Sequence, residues 1–382
     1  MPAKHFDIAI IGAGAAGLHL AMALNKSTAL SGKEILILEK AQKDQNDRTW
    51  CFWEQGEGLW DSILAKSWAR GYFYAPEKEI DLNLLPYRYK MLRAIDFYEY
   101  GKKQILKNTH VTWLNDEVME VGTGSPISIK GQNDTYTATH VFDSRIPPAF
   151  LDETDKYTRL LQHFKGWVIE TPQDTFDPER FTMMDYRLTW PGTTSFTYVL
   201  PINAKKALIE FTFFSPELIK EEGYDKMLKK YISEMLEIEE FKLLEEEQGI
   251  IPMSDFPFER YSKGNHIRIG TAGGWVKPSS GYAFKNCERY AHKLVRNLEQ
   301  GKPANKGLIH PRFRWYDSIL LGVLSERNDY GPELFSTMFS KNDIQFIFSF
   351  LDDESTLLKD IQMMARFEKW PFMKSLFRYM TR

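Results

Sequence analysis

A turn spaced Gly-x-Gly-x-x-Gly, with an apolar strand before it and a helix after it, commits a chain to a dinucleotide-binding α/β unit more firmly than any other short feature. Here the turn is Gly12-Ala13-Gly14-Ala15-Ala16-Gly17, between the run Asp7-Ile8-Ala9-Ile10-Ile11 and a helix expected from about Ala15. The first glycine permits a tight turn, the second lets a pyrophosphate approach the backbone, and the third lets helix and strand pack closely. Gly12, Ala13, Gly14, Ala16 and Gly17 are therefore the expected cofactor cradle. A second apolar strand, residues 34–38, ends on Glu39, about the ~20 residues downstream at which a carboxylate can accept hydrogen bonds from a ribose.

The rest of the chain decides which dinucleotide. After Glu39 the chain leaves the unit, and only near Gly270-Thr271-Ala272-Gly273-Gly274 does a second glycine-rich turn follow a strand, His266 to Ile269. A nicotinamide cofactor usually lies across one contiguous doubly wound domain. A chain that departs through an inserted sheet and returns late favours FAD, with adenosine and pyrophosphate on the first unit and the ribityl chain and flavin at the late turn. No second Gly-x-Gly-x-x-Gly offers a separate NADPH domain.

Between the turns, short alternating segments from His163 to Phe214, rich in Thr, Tyr, Phe and Val, predict an antiparallel sheet. Residues 216–248 are charged at helical spacing and predict an exposed helical excursion, and residues 286–382 read mostly as helix. With 382 residues the chain can bury a large core in two or three lobes. Near balance of 52 acidic and 49 basic residues gives no support for a nucleic-acid partner. Two scattered cysteines fit a reducing compartment, and the eight histidines show no ligand spacing, so no metal is expected. The few residues before the first strand leave no room for a secretory signal, and no apolar stretch approaches the ~18 residues that span a bilayer. The expected location is cytoplasmic, with any membrane contact peripheral.

Four segments together resemble the bacterial lycopene beta-cyclases, FAD-dependent carotenoid cyclases. They are Asp47-Arg48-Thr49-Trp50-Cys51-Phe52-Trp53, Leu208-Ile209-Glu210-Phe211-Thr212, the turn Gly270 to Gly274, and Val276-Lys277-Pro278-Ser279-Ser280-Gly281-Tyr282. Phe350-Leu351-Asp352 and Trp370-Pro371-Phe372 resemble the same family's closing segment, so the resemblance covers nearly the whole chain. It implies a fold of α/β and α+β class: a Rossmann-type FAD-binding domain of the flavin monooxygenase/geranylgeranyl reductase kind, an inserted antiparallel-sheet substrate domain, and a helical C-terminal part. The expected division is 1–70, 94–160 and 250–305 for the FAD-binding domain, 71–93 and 161–249 for the substrate domain, and 306–382 for the helical region. The late turn reads Gly270-Thr271, where many flavin monooxygenases and reductases of the wider fold have Gly-Asp.

The resemblance further implies FAD held in reduced form by electrons from NADPH, and cyclisation of lycopene and related linear carotenoids without net redox change. An FAD-dependent isoprenoid reductase or an aromatic hydroxylase is the alternative on this fold. Many family members carry two adjacent acids where this chain has Glu210 and Phe211, so only Glu210 can inherit the acid role. On an alternating strand Glu210 shares a face with Leu208, Thr212 and Phe214. A glutamate with its ordinary pKa of ~4.3 is protonated about once in 500 molecules at neutral pH, so the acid role requires apolar surroundings that raise it by about two units or more. An anionic reduced flavin ~4 Å from a carbocation, at an effective dielectric of ~20, is worth about 4 kcal/mol, against ~0.5–2 kcal/mol for one aromatic face. Arg48, Gly273, Gly274, Pro278 and Gly281 are the remaining cofactor contacts the resemblance implies. Trp50, Phe52 and Trp53 are candidates for lining a polyene channel, and Asp143 and Arg145 for a structural closing turn. Between Met363 and Arg382, the bases Arg366, Lys369, Lys374, Arg378 and Arg382 interleave with aromatic residues, a pattern suited to a helix lying on a membrane surface.

Overall fold

A computed structural model describes residues 3–152 and 156–381; Arg382 lies outside the described residues. The chain opens with β1 (Lys4–Ile11), α1 (Ala15–Lys26) and β2 (Ile35–Glu39). The strands β3 (Thr49–Gln55), β4 (Lys66–Trp68), β5 (Arg70–Ala75), β6 (Lys78–Asn83) and β7 (Tyr87–Arg93) follow. Next come α2 (Ala94–Ile105), β8 (Val111–Asn115), β9 (Val118–Val121), β10 (Ile127–Gly131), β11 (Thr135–Asp143) and the short α3 (Pro148–Asp152). The long strands β12 (Arg159–Glu170), β13 (Arg180–Asp185), β14 (Thr194–Pro201) and β15 (Lys206–Ser215) precede α4 (Glu221–Glu234), β16 (Lys242–Ser254) and β17 (His266–Arg268). The last part is helical: α5 (Phe284–Glu299), α6 (Pro311–Glu326), α7 (Gly331–Lys341), α8 (Ile344–Leu351), α9 (Leu357–Met364) and α10 (Lys369–Met380).

Three sheets organise these elements. In the first, β8, β2, β1 and β11 run parallel in that order, and β11 continues to β10 along its first half and to β17 along its second. Because β1 has parallel neighbours on both sides and packing on both faces, its run Ile8 to Ile11 is buried without alternation. Ile8, Ile10, Ile35 and Ile37 pack against α1, α2 and α5. The second sheet has the order β16-β12-β15-β14-β13-β5-β6, antiparallel except where β13 meets β5. Its central strand β15 is also covered on both faces. Ile209, Phe211 and Phe213 meet Met227, Leu228 and Tyr231 of α4, while Leu208 and Phe214 join the largest core, which includes residues of α6, α7 and α8. A small sheet, β3-β7-β4, supplies residues to the cores of both large ones.

The segment 216–248 departs from its expectation. Only Glu221–Glu234 is helical, and from Lys242 the chain is a thirteen-residue edge strand hydrogen-bonded to β12 along its length. The charges at helical spacing are, in its second half, the charges of a strand: Glu245 pairs with Arg93 at 3.2 Å and Glu246 with Lys165 at 3.2 Å. Among the described residues, no helix is long and apolar enough to cross a membrane.

Candidate functional site

The glycine turn has the geometry its spacing demands. Gly12 sits at φ +94°, and a Cβ there would lie 2.1 Å from Ser144 Oγ; one on Gly17 would lie 1.9 Å from the Gly12 carbonyl oxygen. A Cβ on Gly14 would meet nothing within 4 Å, so this is the open side of the cradle. Gly14 is also the N-cap of α1 and lends it no side-chain cap, which leaves the first amides of the helix available to an anion. Glu39 is buried, its Oε2 accepting the Ala13 amide at 2.6 Å and its Oε1 the Ala41 amide at 2.9 Å, which fixes the carboxylate beside the turn.

The late turn closes onto this cradle. Gly270, at φ +61°, would place a Cβ 3.1 Å from Ala16 Cβ, so the two glycine turns meet at the first turn of α1. Gly273 backs onto the Arg268 carbonyl, where a Cβ would lie 2.4 Å away, and Gly274 and Gly281 have φ of +73° and +72°. Pro278 lines a small cleft with Thr271, Gly274 and Val276. The following loop is anchored by a buried lysine: Lys277 Nζ donates to Asp317 at 3.2 Å and to Asp353 at 2.7 Å, and Ser279 Oγ donates to Asp317 at 2.5 Å. Burial opposes a charge on Lys277, but the two carboxylates prevail and raise its pKa. Asp143 holds the neighbouring strand ends through Arg145 at 2.8 Å, Arg268 at 2.8 Å and His266 at 3.1 Å. Burial alone would raise its pKa; the bonds from His266 and Arg145 and the charges of Arg145 and Arg268 hold it well below the carboxylate range. Arg48 is exposed, paired with Asp47 at 3.2 Å. Its charge also acts on the carboxylate of Glu247, which places it at the edge of the second half of the site.

That half is an apolar cavity of about 320 Å³ between the second sheet and the C-terminal helices. Met183, Met184, Phe214, Phe335 and Phe339 form much of its wall, and Phe372, Met373 and Leu376 of α10 stand along it. Of the three aromatic candidates on β3, only Trp53 reaches this space, stacked on Phe348 at 4.4 Å with its Nε1 donating to Asp352 at 2.7 Å. Trp50 and Phe52 instead pack against Phe97 and Phe284 in the core of the first unit. The polar groups of the cavity include Tyr198 and Tyr282. Tyr282 also approaches Tyr89, hydroxyl to hydroxyl, at 3.4 Å.

Glu210 lies directly across the strand pair from Tyr198, its charge acting on Tyr198, Tyr282 and Cys51. It does not itself line the cavity wall; the two tyrosines do. Thr212 Oγ1 donates to Glu210 Oε1 at 2.7 Å. Burial, then the adjacent carboxylate of Glu247, push the Glu210 pKa up to about 8, against the pull of the Thr212 bond. Sequence reasoning missed Glu247. Gly166 on β12 is paired with Glu210 of β15 on one side and with Glu247 of β16 on the other. A Cβ on Gly166 would lie 3.2 Å from Glu247 Cγ and 3.5 Å from Glu210 Cβ, so the absent side chain leaves the gap through which the two carboxyls meet. Glu247 Oε2 accepts the Thr49 hydroxyl at 2.7 Å. A glycine on a central strand, opposite an acid, is the one local signal that could have pointed to it. Among the described residues no group of three or more His, Cys, Asp or Glu is arranged to hold a metal ion.

At the C-terminus the distribution of charge differs from the sequence pattern. Lys374 and Arg378 both pair with Glu326 of α6, at 2.8 and 3.1 Å, and Arg366 donates to Asn342 at 2.6 Å. The exposed apolar residues are more numerous than the single helix suggested: Leu357, Leu358 and Ile361 of α9 join Trp370, Met373, Phe377 and Met380 of α10.

Similar proteins share this plan. A geranylgeranyl bacteriochlorophyll reductase-like protein of Thermoplasma acidophilum superposes with a TM-score of 0.62 at 13% identity, over 98% of this chain and 99% of that one. A flavin-dependent brominase superposes at 0.58 with 14% identity, over 98% and 99%. Aklavinone-11 hydroxylase, in a structure with FAD and aklavinone, superposes at 0.56 with 15% identity, over 78% and 63%. The fold is thus that of flavin-dependent monooxygenases and reductases. In sequence, chloroplastic neoxanthin synthases of Solanum lycopersicum and Solanum tuberosum are each 23% identical across 78% of this chain. The chain spans 61% of the length of those relatives. The family described as "Lycopene cyclase protein" matches residues 7–377, and the chain belongs to the lycopene cyclase family.

Proposed function

We infer that this protein is a lycopene beta-cyclase, closing the linear ends of lycopene to β-ionone rings, by way of γ-carotene to β-carotene. The observation that carries this reading is a carboxyl, Glu210, set opposite Tyr198 and across Gly166 from Glu247 at the polar edge of an aromatic, otherwise apolar cavity, where burial and the neighbouring carboxylate raise its pKa. Cyclisation adds a proton to a terminal double bond; the neighbouring π bond then attacks the tertiary cation, and loss of a ring proton leaves mass and oxidation state unchanged. Glu210 is a protonated acid at neutral pH by virtue of its surroundings. The apolar lining offers little hydrogen bonding to the water that would trap a cation, and the faces of Trp53, Tyr198 and Tyr282 each offer the cation ~0.5–2 kcal/mol.

FAD suits the cradle: Gly12, Gly14 and Gly17 and the uncapped start of α1 for its pyrophosphate, Glu39 for a ribose, and Gly270 to Gly274, Pro278 and Gly281 for the remainder; the charges of Arg48 and Glu39 both reach Tyr98. Bound there in reduced form, with electrons from NADPH, FAD would supply negative charge to offset a carbocation. Lycopene is a membrane-dissolved hydrocarbon, and the cavity runs along α10, which exposes Trp370, Met373, Phe377 and Met380 among its bases. The protein therefore docks peripherally on a bilayer, at its cytoplasmic face given the two free cysteines. Glu210→Gln, assayed with lycopene in liposomes, is expected to lose ring formation by about a thousandfold or more while keeping FAD affinity. Undiminished cyclisation by that variant would exclude the role given to Glu210.

A further inference from the structure

We propose that Glu247 is a positioning residue which, facing Glu210 across the vacant side of Gly166, holds a single shared proton on Glu210, the two carboxyls working as a pair. The proposal rests on the cyclase reading for its chemistry but on register for its geometry. Strands β15, β12 and β16 bring Glu210, Gly166 and Glu247 side by side, and any side chain on the middle strand would push between the outer two. The acids next to Glu247 in sequence have other partners, Glu245 with Arg93 and Glu246 with Lys165, whereas Glu247 turns inward and is buried. Each carboxyl has one hydroxyl donor of its own, Thr212 for Glu210 and Thr49 for Glu247, at 2.7 Å in both cases. A hydroxyl donor favours the ionised form of the oxygen it meets, and two buried carboxylates in contact cannot both be ionised without a large cost. The contact therefore retains one proton.

The groups facing the pair are Cys51 and Thr49 from β3, Arg48 just before it, Tyr198 from β14, Tyr282 from the loop before α5, and Glu245 from the same strand as Glu247. Of these only Arg48 is cationic, and its exposed side chain is paired with Asp47, so it offsets the mutual repulsion of the pair only in part. In turnover the proton leaves Glu210 for the terminal double bond by way of the hydroxyls of Tyr198 and Tyr282, which line the cavity, leaving both carboxyls ionised. The proton released from the closed ring restores one to the pair, so neither acid is changed over the cycle. The pair titrates as a unit, and its upper step is the one that removes the catalytic proton.

The test is Glu247→Gln, which keeps size and removes the charge, with Glu247→Asp as the conservative variant. In the wild-type protein, infrared titration is expected to show one protonated-carboxyl band persisting at neutral pH and absent from Glu210→Gln. In Glu247→Gln the midpoint of that band, and the alkaline limb of the kcat profile, are expected to move down by about one pH unit or more, with KM little changed and partial restoration in Glu247→Asp. A midpoint and limb both unmoved in Glu247→Gln would overturn the pairing and leave the cyclase reading intact. A wild-type protein that shows the shared-proton band but never cyclises lycopene would overturn the cyclase reading and leave the pairing intact.

Discussion

A carboxyl that must protonate an alkene needs its proton at the pH of the cell, and Glu210 obtains it from burial and a like-charged neighbour. Its pKa rises from an ordinary 4.5 to about 8, so the acid form is populated below about 8 and the rate of cyclisation should fall as pH climbs through that value. The same shift has a stability consequence of definite sign. Between 4.5 and about 8 the folded protein binds a proton that the unfolded chain has lost, so stability decreases as pH rises through this window. Glu210→Gln should flatten that decline, visible as a smaller loss of Tm between acidic and alkaline buffers; an unchanged slope would mean that Glu210 titrates normally. Glu210 was legible in the sequence because strand alternation put it on a face with Leu208 and Phe214 and because the family motif marks it. Glu247 was not, because its relation to Glu210 comes from register across a third strand, and Glu245-Glu246-Glu247 has the same composition as a solvated helix.

At the scale of elements, β12 is the piece on which the site depends. Gly166→Ala would place a methyl 3.0 Å from Leu208 Cδ1 and 3.2 Å from Glu247 Cγ, so both Leu208 and Glu247 must give way. The expected result is a loss of activity on the order of tenfold or more with circular dichroism unchanged, since misplacing a reacting group by a fraction of an ångström is costly while one methyl costs the sheet little. Full activity in this variant would mean that the gap is incidental. Helices α9 and α10 together expose an apolar surface. Liposome flotation of the intact protein, compared with a variant in which Leu357, Leu358, Trp370 and Phe377 are replaced by serine, should show binding lost in the variant and only weakly dependent on salt, because Lys374 and Arg378 are already paired with Glu326. Equal flotation would remove these helices from the docking surface. The opening β1-α1-β2 unit and the strands from β12 to β15 were legible because hydrophobic period and glycine spacing are local properties. The strand β16 was not, because its edge position leaves it enough charge to imitate a helix.

The whole molecule couples two distant glycine turns, 12–17 and 270–274, through the contact of Gly270 with Ala16. A cofactor seated there bridges the start and the late return of the chain, so FAD at a hundred times its Kd should add about 2.7 kcal/mol to stability. Gly17→Val should forfeit that gain by driving Cβ into the Gly12 carbonyl; equal stabilisation of both proteins by FAD would place the cofactor elsewhere. The departure from and return to the first unit was visible in the sequence as the interval between the two turns, but the cavity was not, because its walls come from strands and helices more than a hundred residues apart. The measurement that bears most directly on the account is anaerobic incubation of the protein with lycopene in liposomes, FAD and NADPH, followed by chromatography and mass spectrometry of the pigment. A lycopene beta-cyclase gives a product of shorter-wavelength absorption and unchanged mass; a product heavier by hydrogen or oxygen would make the protein a reductase or a hydroxylase on the same fold.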